Sequence, residues 1–171
     1  MAVCRYNRRM TVTFQSVWEF GLDAAAEIAT QGFSDYFIPV RITAASLVGM
    51  VRQDSLDLAL SRVIICDGQP AGAALVARRG WTSRLAGMSI VPAARGLGLG
   101  EGLVRRLLAE ARERGDRAMT LEVIRQNNAA LRLYEKCGFV IRRGLTGYTG
   151  AEPREQVSGE LEEVDIRVVA R

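Results

Sequence analysis

The sequence predicts an α/β domain in which a mixed sheet is combined with helices. The chain has 171 residues, of which 49% are hydrophobic and 25% charged, a composition typical of one globular domain. Short β-branched segments alternate along the chain with longer segments of helical period. The predicted order is strand, two helices, three strands, helix, strand, helix and strand, without an internal repeat.

The first third of the chain contains one predicted strand and two predicted helices. Thr11–Val17 alternates and is rich in β-branched residues, which favours a strand. Asp23 is placed to cap a helix that ends near Phe33, and Thr43 is placed to cap a second helix over residues 44–53.

The middle of the chain contains three predicted strands. Val63–Cys66 and Gly72–Arg78 flank Asp67-Gly68-Gln69-Pro70, a sequence that favours a hairpin turn. Residues 84–91 form the next predicted strand, which ends at Pro92 because proline has no N–H to donate to a ladder.

Four alternating glycines accompany the start of the longest predicted helix. Gly96, Gly98, Gly100 and Gly102 pass through its predicted opening turn, where each costs about 0.8–1.0 kcal/mol relative to alanine. The helix ends at Gly115 and carries one apolar face. That face consists of Leu99, Leu103, Val104, Leu107, Leu108 and Ala111. A cost accepted four times in seven residues suggests that the glycines have a separate purpose.

The remaining elements are a strand, a helix and a strand. Ala118–Ile124 is the first strand, and Phe139–Arg143 is the second. The helix between them takes Asn127 or Asn128 as its N-cap and ends at Gly138.

The two ends of the chain carry weaker signals. Residues 1–10 predict a basic N-terminal extension, residues 11–150 the domain, and residues 151–171 a C-terminal loop and tail. The tail predicts either a closing strand or a short helix capped by Asp165. It has no stop signal, so truncation from a longer chain stays open.

Composition excludes several kinds of chemistry. Histidine is absent, which removes Ser-His-Asp and Cys-His mechanisms and most catalytic metal sites. Cys4, Cys66 and Cys137 are odd in number and widely spaced, which argues against a disulfide framework and a zinc site. No apolar run approaches the ~20 residues that cross a bilayer, and the first ten residues lack a signal-peptide core. We therefore expect a cytoplasmic protein with no metal and no membrane partner.

The net charge of +4 raises the question of a nucleic-acid partner. On the long helix, however, arginines such as Arg105 and Arg106 share the surface with Glu101 and Glu110. A mixed, solvated surface is therefore favoured over a polynucleotide groove, and no nucleic-acid partner is expected. A nucleic-acid binder would instead show an affinity that falls steeply with salt.

The glycine stretch is suited to binding phosphates. Helix N-termini carry unpaired N–H groups and partial positive charge, and glycines let a phosphate approach that backbone. A P-loop is excluded because no lysine follows these glycines, and G-x-G-x-x-G fails in all three frames. R-x-x-G-x-G fits at Arg95, Gly98 and Gly100. A flexible turn or tight helix–sheet packing is the alternative interpretation.

Two motifs resemble those of the GNAT superfamily of acetyl-CoA-dependent N-acyltransferases. "SIVPAARGLGLGEGLVRRLL" is similar to its acetyl-CoA motif, and "LEVIRQNNAALRLYEKCGF" is similar to N-x-x-A-x-x-L-Y-x-K-x-G-F. The resemblance covers residues 85–143. It implies a central mixed, mostly antiparallel sheet, flanked by about four helices and splayed at the acetyl-CoA strand.

The resemblance also implies direct transfer of the acetyl group of acetyl-CoA to a primary amine in a ternary complex. Backbone amides of the glycine stretch would bind the pyrophosphate, and the N–H of Ile90 or Val91 would bind the thioester oxyanion. Asn127 would contact the coenzyme arm, although it is equally suited to cap its helix. The implied coenzyme residues are Ile90, Val91, Arg95, Gly96, Leu97, Gly98, Leu99, Gly100, Glu101, Asn127, Ala130 and Tyr134.

The implied catalytic residues are Tyr134, Glu122 and Ile90. Tyr134 would protonate the departing thiolate, since a phenol with a pKa of about 10 holds its proton at neutral pH. Core packing is the alternative for Tyr134. Glu122 would take the proton of the incoming ammonium, directly or through water, unless this mid-strand carboxylate simply faces solvent.

The acceptor is implied to enter beside the loop between the first two helices. Phe33, Tyr36 and Phe37 could wall a pocket there and Asp35 could attract an ammonium, or these side chains could cover the core and cap a turn. A non-catalytic acyl-CoA-binding or regulatory module is the alternative function, and a homodimer is compatible with the resemblance. The acceptor itself is not predicted.

Overall fold

The computed structural model describes residues 10–147 and 164–170. The chain divides into two compact units. The first contains the residues up to Ala77 together with Gly87–Leu99, and the second contains Arg78–Ala86 together with the residues from Gly100 onward. The predicted boundaries at residues 10 and 150 stay predictions, because residues 1–9 and 148–163 lie outside the described part.

Strands and helices alternate in the predicted order, with one addition near the start. The elements are β1 (Val12–Ser16), α1 (Val17–Phe20), α2 (Leu22–Gly32), α3 (Ala44–Gln53), β2 (Leu56–Cys66), β3 (Gln69–Arg79), β4 (Thr82–Ile90), a 3₁₀ turn (Pro92–Ala94), α4 (Leu99–Glu113), β5 (Ala118–Ile124), α5 (Asn128–Lys136), β6 (Val140–Gly147) and β7 (Val164–Ala170). The described residues thus contain five α-helices where about four were expected, the extra one being the single turn α1. The tail forms a strand, one of its two predicted alternatives.

The sheet is mixed and mostly antiparallel, as predicted. Its strand order is β1-β2-β3-β4-β5-β7-β6. In the first unit, β2 pairs antiparallel with β1 and with β3. In the second unit, Thr82–Leu85 of β4 runs parallel to Ala118–Leu121 of β5, and β7 lies antiparallel to both β5 and β6.

Both units contain buried apolar side chains. In the first unit, Val17, Leu47 and Ile64 are fully buried, and in the second, Leu103 and Phe139 are at most 2% exposed. The apolar face predicted for α4 is confirmed: Leu99, Leu103, Val104, Leu107, Leu108 and Ala111 are all buried. Among the described residues, no helix is both long and apolar enough to cross a membrane.

The helix starts follow from local capping, with one wrong prediction. Thr43 caps α3, where it forms a reciprocal capping box with Ser46. Asn127 caps α5, and its side chain accepts the Ala130 N–H at 3.1 Å. Asp23 does not cap α2: the helix begins at Leu22, two residues earlier than predicted, Gly21 is the N-cap at φ +98°, and Asp23 lies in the first turn.

Two element boundaries also differ from the sequence-based prediction. Ser16 and Glu19 form a capping box that starts α1, and their S-x-x-E pattern is the sequence signal of this additional helix. The hairpin turn is only Asp67-Gly68, both in left-handed conformation, so Pro70 already belongs to β3. Two successive residues with positive φ are what a type I′ hairpin turn requires.

Candidate active site

The glycine stretch divides between a loop and a helix. Gly96 and Gly98 precede α4 with φ of +76° and +78°, and both are exposed, as is Leu97 between them. Gly100 and Gly102 lie inside the helix, so only part of the stretch forms its opening turn. The first amides of a helix have no partner within the helix. The loop thus leads an exposed backbone into a helix N-terminus, a geometry suited to an anion.

Glu101 places a negative charge in the first turn of α4, where a bound phosphate would be repelled by it. Its carboxylate is matched by two cations: Lys136 Nζ lies 2.6 Å from one oxygen and Arg105 Nε 2.9 Å from the other. The hydrogen bonds from Lys136 and then from Arg105 lower the pKa of Glu101 below its ordinary value. The two cations offset the charge of the carboxylate, which reduces its repulsion of an anion at this helix end.

The hydrogen bonds at the end of β4 distinguish Ile90 from Val91, the two candidates for donating a backbone N–H to the oxyanion. The N–H of Val91 donates to the carbonyl of Ala71 at 2.9 Å and is therefore occupied. The prediction that Val91 could serve as this donor is corrected for that reason. Consecutive amides of a strand point to opposite edges, so the N–H of Ile90 points away from Ala71. Ile90 remains the candidate of the two.

Arg95 is bonded to protein through its whole guanidinium group. Nε donates to the carbonyl of Ile90 at 3.0 Å, and Nη2 donates to the carbonyl of Gly32 at 3.0 Å. Nη1 and Nη2 also contact the two carboxylate oxygens of Asp35, at 2.5 and 2.7 Å. The backbone N–H of Arg95 donates to the carbonyl of Pro92 at 3.3 Å. Arg95, expected at the coenzyme, is thus turned toward the loop expected at the acceptor.

Asp35 was expected to attract an ammonium ion, and the structure gives it a different cation. The hydrogen bonds from Arg95 lower the pKa of the Asp35 carboxyl, so it is ionised and paired near neutral pH. The sequence offered no signal for this pairing, because the two residues are 60 positions apart.

The predicted acceptor aromatics form a short row of rings. Phe33 and Tyr36 meet edge to face with centroids 5.2 Å apart, and Tyr36 and Phe37 do so at 5.4 Å. Phe37 is 58% exposed, whereas Phe33 and Tyr36 are half-buried. The row can therefore offer an apolar wall to a small molecule at its Phe37 end.

A separate groove of about 360 Å³ lies along α2 and the start of α3. Its lining includes Asp23, Glu27, Thr30 and Arg41, and none of the predicted acceptor residues. Within residues 10–147 and 164–170, no three His, Cys, Asp or Glu side chains lie close enough to hold a metal ion.

The second unit carries the remaining predicted residues. Tyr134 on α5 is 7% exposed and packs edge to face on Phe139 at 5.9 Å. Asn127 and Ala130 are half-buried at the start of the same helix. Glu122 on β5 is exposed, which agrees with the alternative of a carboxylate facing solvent. Cys137 is also buried.

Comparison with known proteins decides the family. The model of the Acetyltransferase (GNAT) family matches residues 23–139, about two thirds of the chain. The chain belongs to this GNAT family. The match contains the R-x-x-G-x-G loop and the α5 motif, the two features that carried the resemblance.

This GNAT chain has similar proteins in both sequence and structure. It is 39% identical over 75 residues to the streptothricin acetyltransferase of Streptomyces lavendulae, a match that covers 43% of this chain and 40% of that protein. The ribosomal-protein-S18-alanine N-acetyltransferase of Escherichia coli superposes with a TM-score of 0.72 at 22% identity, covering 94% of this chain and 92% of that one. yncA of Salmonella typhimurium, solved with its cofactor acetyl-CoA, gives 0.67 at 21% identity, with 95% and 92% covered. These structures support the fold of this GNAT chain.

Proposed function

We propose that the chain is an N-acetyltransferase that transfers the acetyl group of acetyl-CoA directly to a primary amine. The observation that carries this proposal is the exposed left-handed pair Gly96 and Gly98 immediately before α4, within the segment matched to the GNAT family. Backbone amides from Gly96 to Glu101 would hold the pyrophosphate. The pairing of the Glu101 carboxylate with two cations is consistent with an anion at this position.

The remaining residues are proposed to act on the reacting atoms. The N–H of Ile90 donates to the thioester oxygen as negative charge develops there. Glu122, exposed on β5, first takes one proton from the ammonium group of the acceptor, directly or through water. The neutral amine then forms the new C–N bond as the C–S bond breaks, and Tyr134 donates a proton to the departing thiolate. The second proton lost from the nitrogen restores the Tyr134 hydroxyl.

A cationic amine is the proposed acceptor class. The matched streptothricin acetyltransferase of Streptomyces lavendulae supports streptothricin as the first amine to test. We propose that Phe33, Tyr36 and Phe37 contact the acceptor through their rings, with Asp35 beside them. We further propose a cytoplasmic enzyme that needs no metal and forms a homodimer, which sedimentation of the purified chain would test.

A non-catalytic acyl-CoA-binding module is the second candidate. It is favoured by the burial of Tyr134, which packs on Phe139 as a core residue would. Such a module would bind acetyl-CoA without releasing free thiol in the presence of an amine.

The first test is thermal unfolding with saturating acetyl-CoA, with NAD and ATP as matched controls. A ligand at about 100 times its dissociation constant adds about 2.7 kcal/mol, which raises Tm by about 5–11 °C in a chain of this size. A shift with acetyl-CoA alone is expected. Thiol release on addition of streptothricin then separates the enzyme from the binding module. An equal shift with NAD or ATP, or none with acetyl-CoA, would contradict the proposed function.

A further inference from the structure

The C-terminal end of α2 packs closely against β4 at Ser89. The hydroxyl of Ser89 is buried and donates to the carbonyl of Ala29 at 2.9 Å. A β carbon added at Gly32 would come within 2.5 Å of the Ser89 β carbon, so only glycine fits there without a shift. The helix end is therefore held at a fixed place on the strand.

Arg95 extends this attachment into the loop that follows α2. Its Nη2 donates to the carbonyl of Gly32, the last residue of the helix. Nη1 and Nη2 together bind the carboxylate of Asp35, three residues further along the chain. Its Nε is anchored on Ile90, the last residue of β4. A planar guanidinium can make these contacts together because its donors form a rigid fork.

The loop needs an anchor because its own side chains are largely exposed. Asp35 has 60% of its side chain exposed, and Phe37 is 58% exposed. The row of rings from Phe33 to Phe37 spans Asp35, so the ion pair lies within the aromatic segment. Holding Asp35 therefore restricts the rings on both sides of it.

We propose that Arg95 is a positioning residue for the amine acceptor, because it holds the Phe33–Phe37 segment at the end of β4 and does not bind the coenzyme phosphates through its side chain. This inference rests on the proposed function, since it assigns the segment to the acceptor. It gives Asp35 a structural partner in place of a free negative charge for the incoming ammonium. Arg95 and Asp35 are then both required for binding of the amine acceptor.

Hydrogen exchange tests the attachment without any substrate. In Arg95→Gln and Asp35→Asn, amides of residues 33–38 are expected to exchange about tenfold faster than in the wild type, because local opening becomes easier. Arg105→Gln is the matched control: it breaks an exposed Arg–Glu contact on α4 and leaves Glu101 its lysine. Unchanged exchange in residues 33–38 in both variants would overturn the proposal.

The KM for the acceptor and the Kd for acetyl-CoA test whether Arg95 positions the acceptor segment. In both variants the KM for streptothricin is expected to rise about ten- to a hundredfold, since small displacements at a reacting site have effects of this size. The Kd for acetyl-CoA, measured by calorimetry, should stay within about twofold. Arg95→Lys should recover little, because one ammonium cannot replace the fork. A tenfold weaker Kd for acetyl-CoA in Arg95→Gln but not in Asp35→Asn would overturn the proposal and make Arg95 a coenzyme ligand.

The same experiments separate this inference from the proposed function. If the wild type fails to bind acetyl-CoA, the proposed function fails, whatever the exchange of residues 33–38. If the wild type binds acetyl-CoA but the exchange is unaffected by either substitution, the function stands and the positioning role is rejected.

Discussion

Arg78 and Asp116 are 38 positions apart in the sequence, and the Nε of Arg78 lies 2.8 Å from the carboxylate of Asp116, whose side chain is only 1% exposed. The same carboxylate accepts from Arg114 Nη2 at 3.0 Å and from the hydroxyl of Ser83. Beside it, the N–H of Arg117 donates to the carbonyl of Trp81 at 2.7 Å. One buried carboxylate thus joins the turn after α4 to the end of β3 and the start of β4.

Asp116→Asn should destabilise the fold. Removing this charge leaves two partly buried guanidinium groups without their anion, at an expected cost of about 2–3 kcal/mol. Urea unfolding monitored by circular dichroism measures the change. Asp23→Asn, in the first turn of α2, is the comparison and should change stability by less than about 0.5 kcal/mol.

The effect of Asp116 on stability should depend on pH. Burial raises its pKa, but the hydrogen bonds from Ser83, Arg78 and Arg114 outweigh burial and hold the pKa below its ordinary value. A carboxyl with a lowered folded pKa stabilises the fold above its unfolded pKa of about 3.9, and the contribution is lost as pH falls through the folded value. The stability difference between wild type and Asp116→Asn should therefore shrink below about pH 4. A difference that stays constant down to pH 2 would contradict this account.

Gly32→Ala should destabilise the first unit. The added β carbon overlaps Ser89, and overpacking of this kind costs about 1–3 kcal/mol. Gly49→Ala on α3 is the matched control, because its β carbon would meet nothing within 4 Å. It should raise stability by about 1 kcal/mol through helix propensity alone. Equal effects of the two substitutions on Tm would show that Gly32 is not closely packed.

Gly98→Ala and Gly102→Ala should act in opposite directions. Gly98 has φ of +78°, where a side chain costs about 1–2 kcal/mol, whereas Gly102 lies in α4 with open space around it. Gly98→Ala is therefore expected to lower Tm and to weaken acetyl-CoA binding. Gly102→Ala should raise stability by about 1 kcal/mol with its acetyl-CoA affinity retained. Calorimetric titration measures the acetyl-CoA affinity of both variants. An unchanged affinity in Gly98→Ala would exclude the loop from the proposed coenzyme site.

Tyr134→Phe tests the proposed acid. The phenyl ring keeps the packing on Phe139, while the proton donor is lost. We expect kcat to fall about 10²–10⁴-fold, the range typical of a general acid, with the Kd for acetyl-CoA nearly unchanged. A stopped assay of thiol release and a parallel titration give the two values. Full activity in Tyr134→Phe would show that Tyr134 is not the acid and contributes only to packing.

Local patterns determined most of the elements and the family. The helical face of α4 and the caps Thr43 and Asn127 were predicted correctly, because periodicity and capping act within a few residues. The two motifs indicated the GNAT family, which the family match to residues 23–139 then showed. Asp23 was placed wrongly as a cap because Gly21, with its positive φ, allowed the helix to begin earlier. Even this error is confined to two residues.

Only the tertiary structure decided how the candidate side chains are used. Val91 is occupied by Ala71, and Arg95 is turned to Asp35, because separate elements pack beside one another in the first unit. Lys136 reaches Glu101 in the second unit for the same reason. Such contacts join residues tens of positions apart, and no local propensity or spacing encodes them. The sequence by itself therefore determined which residue types and which backbone amides are available, while long-range packing decided which of them already have a partner.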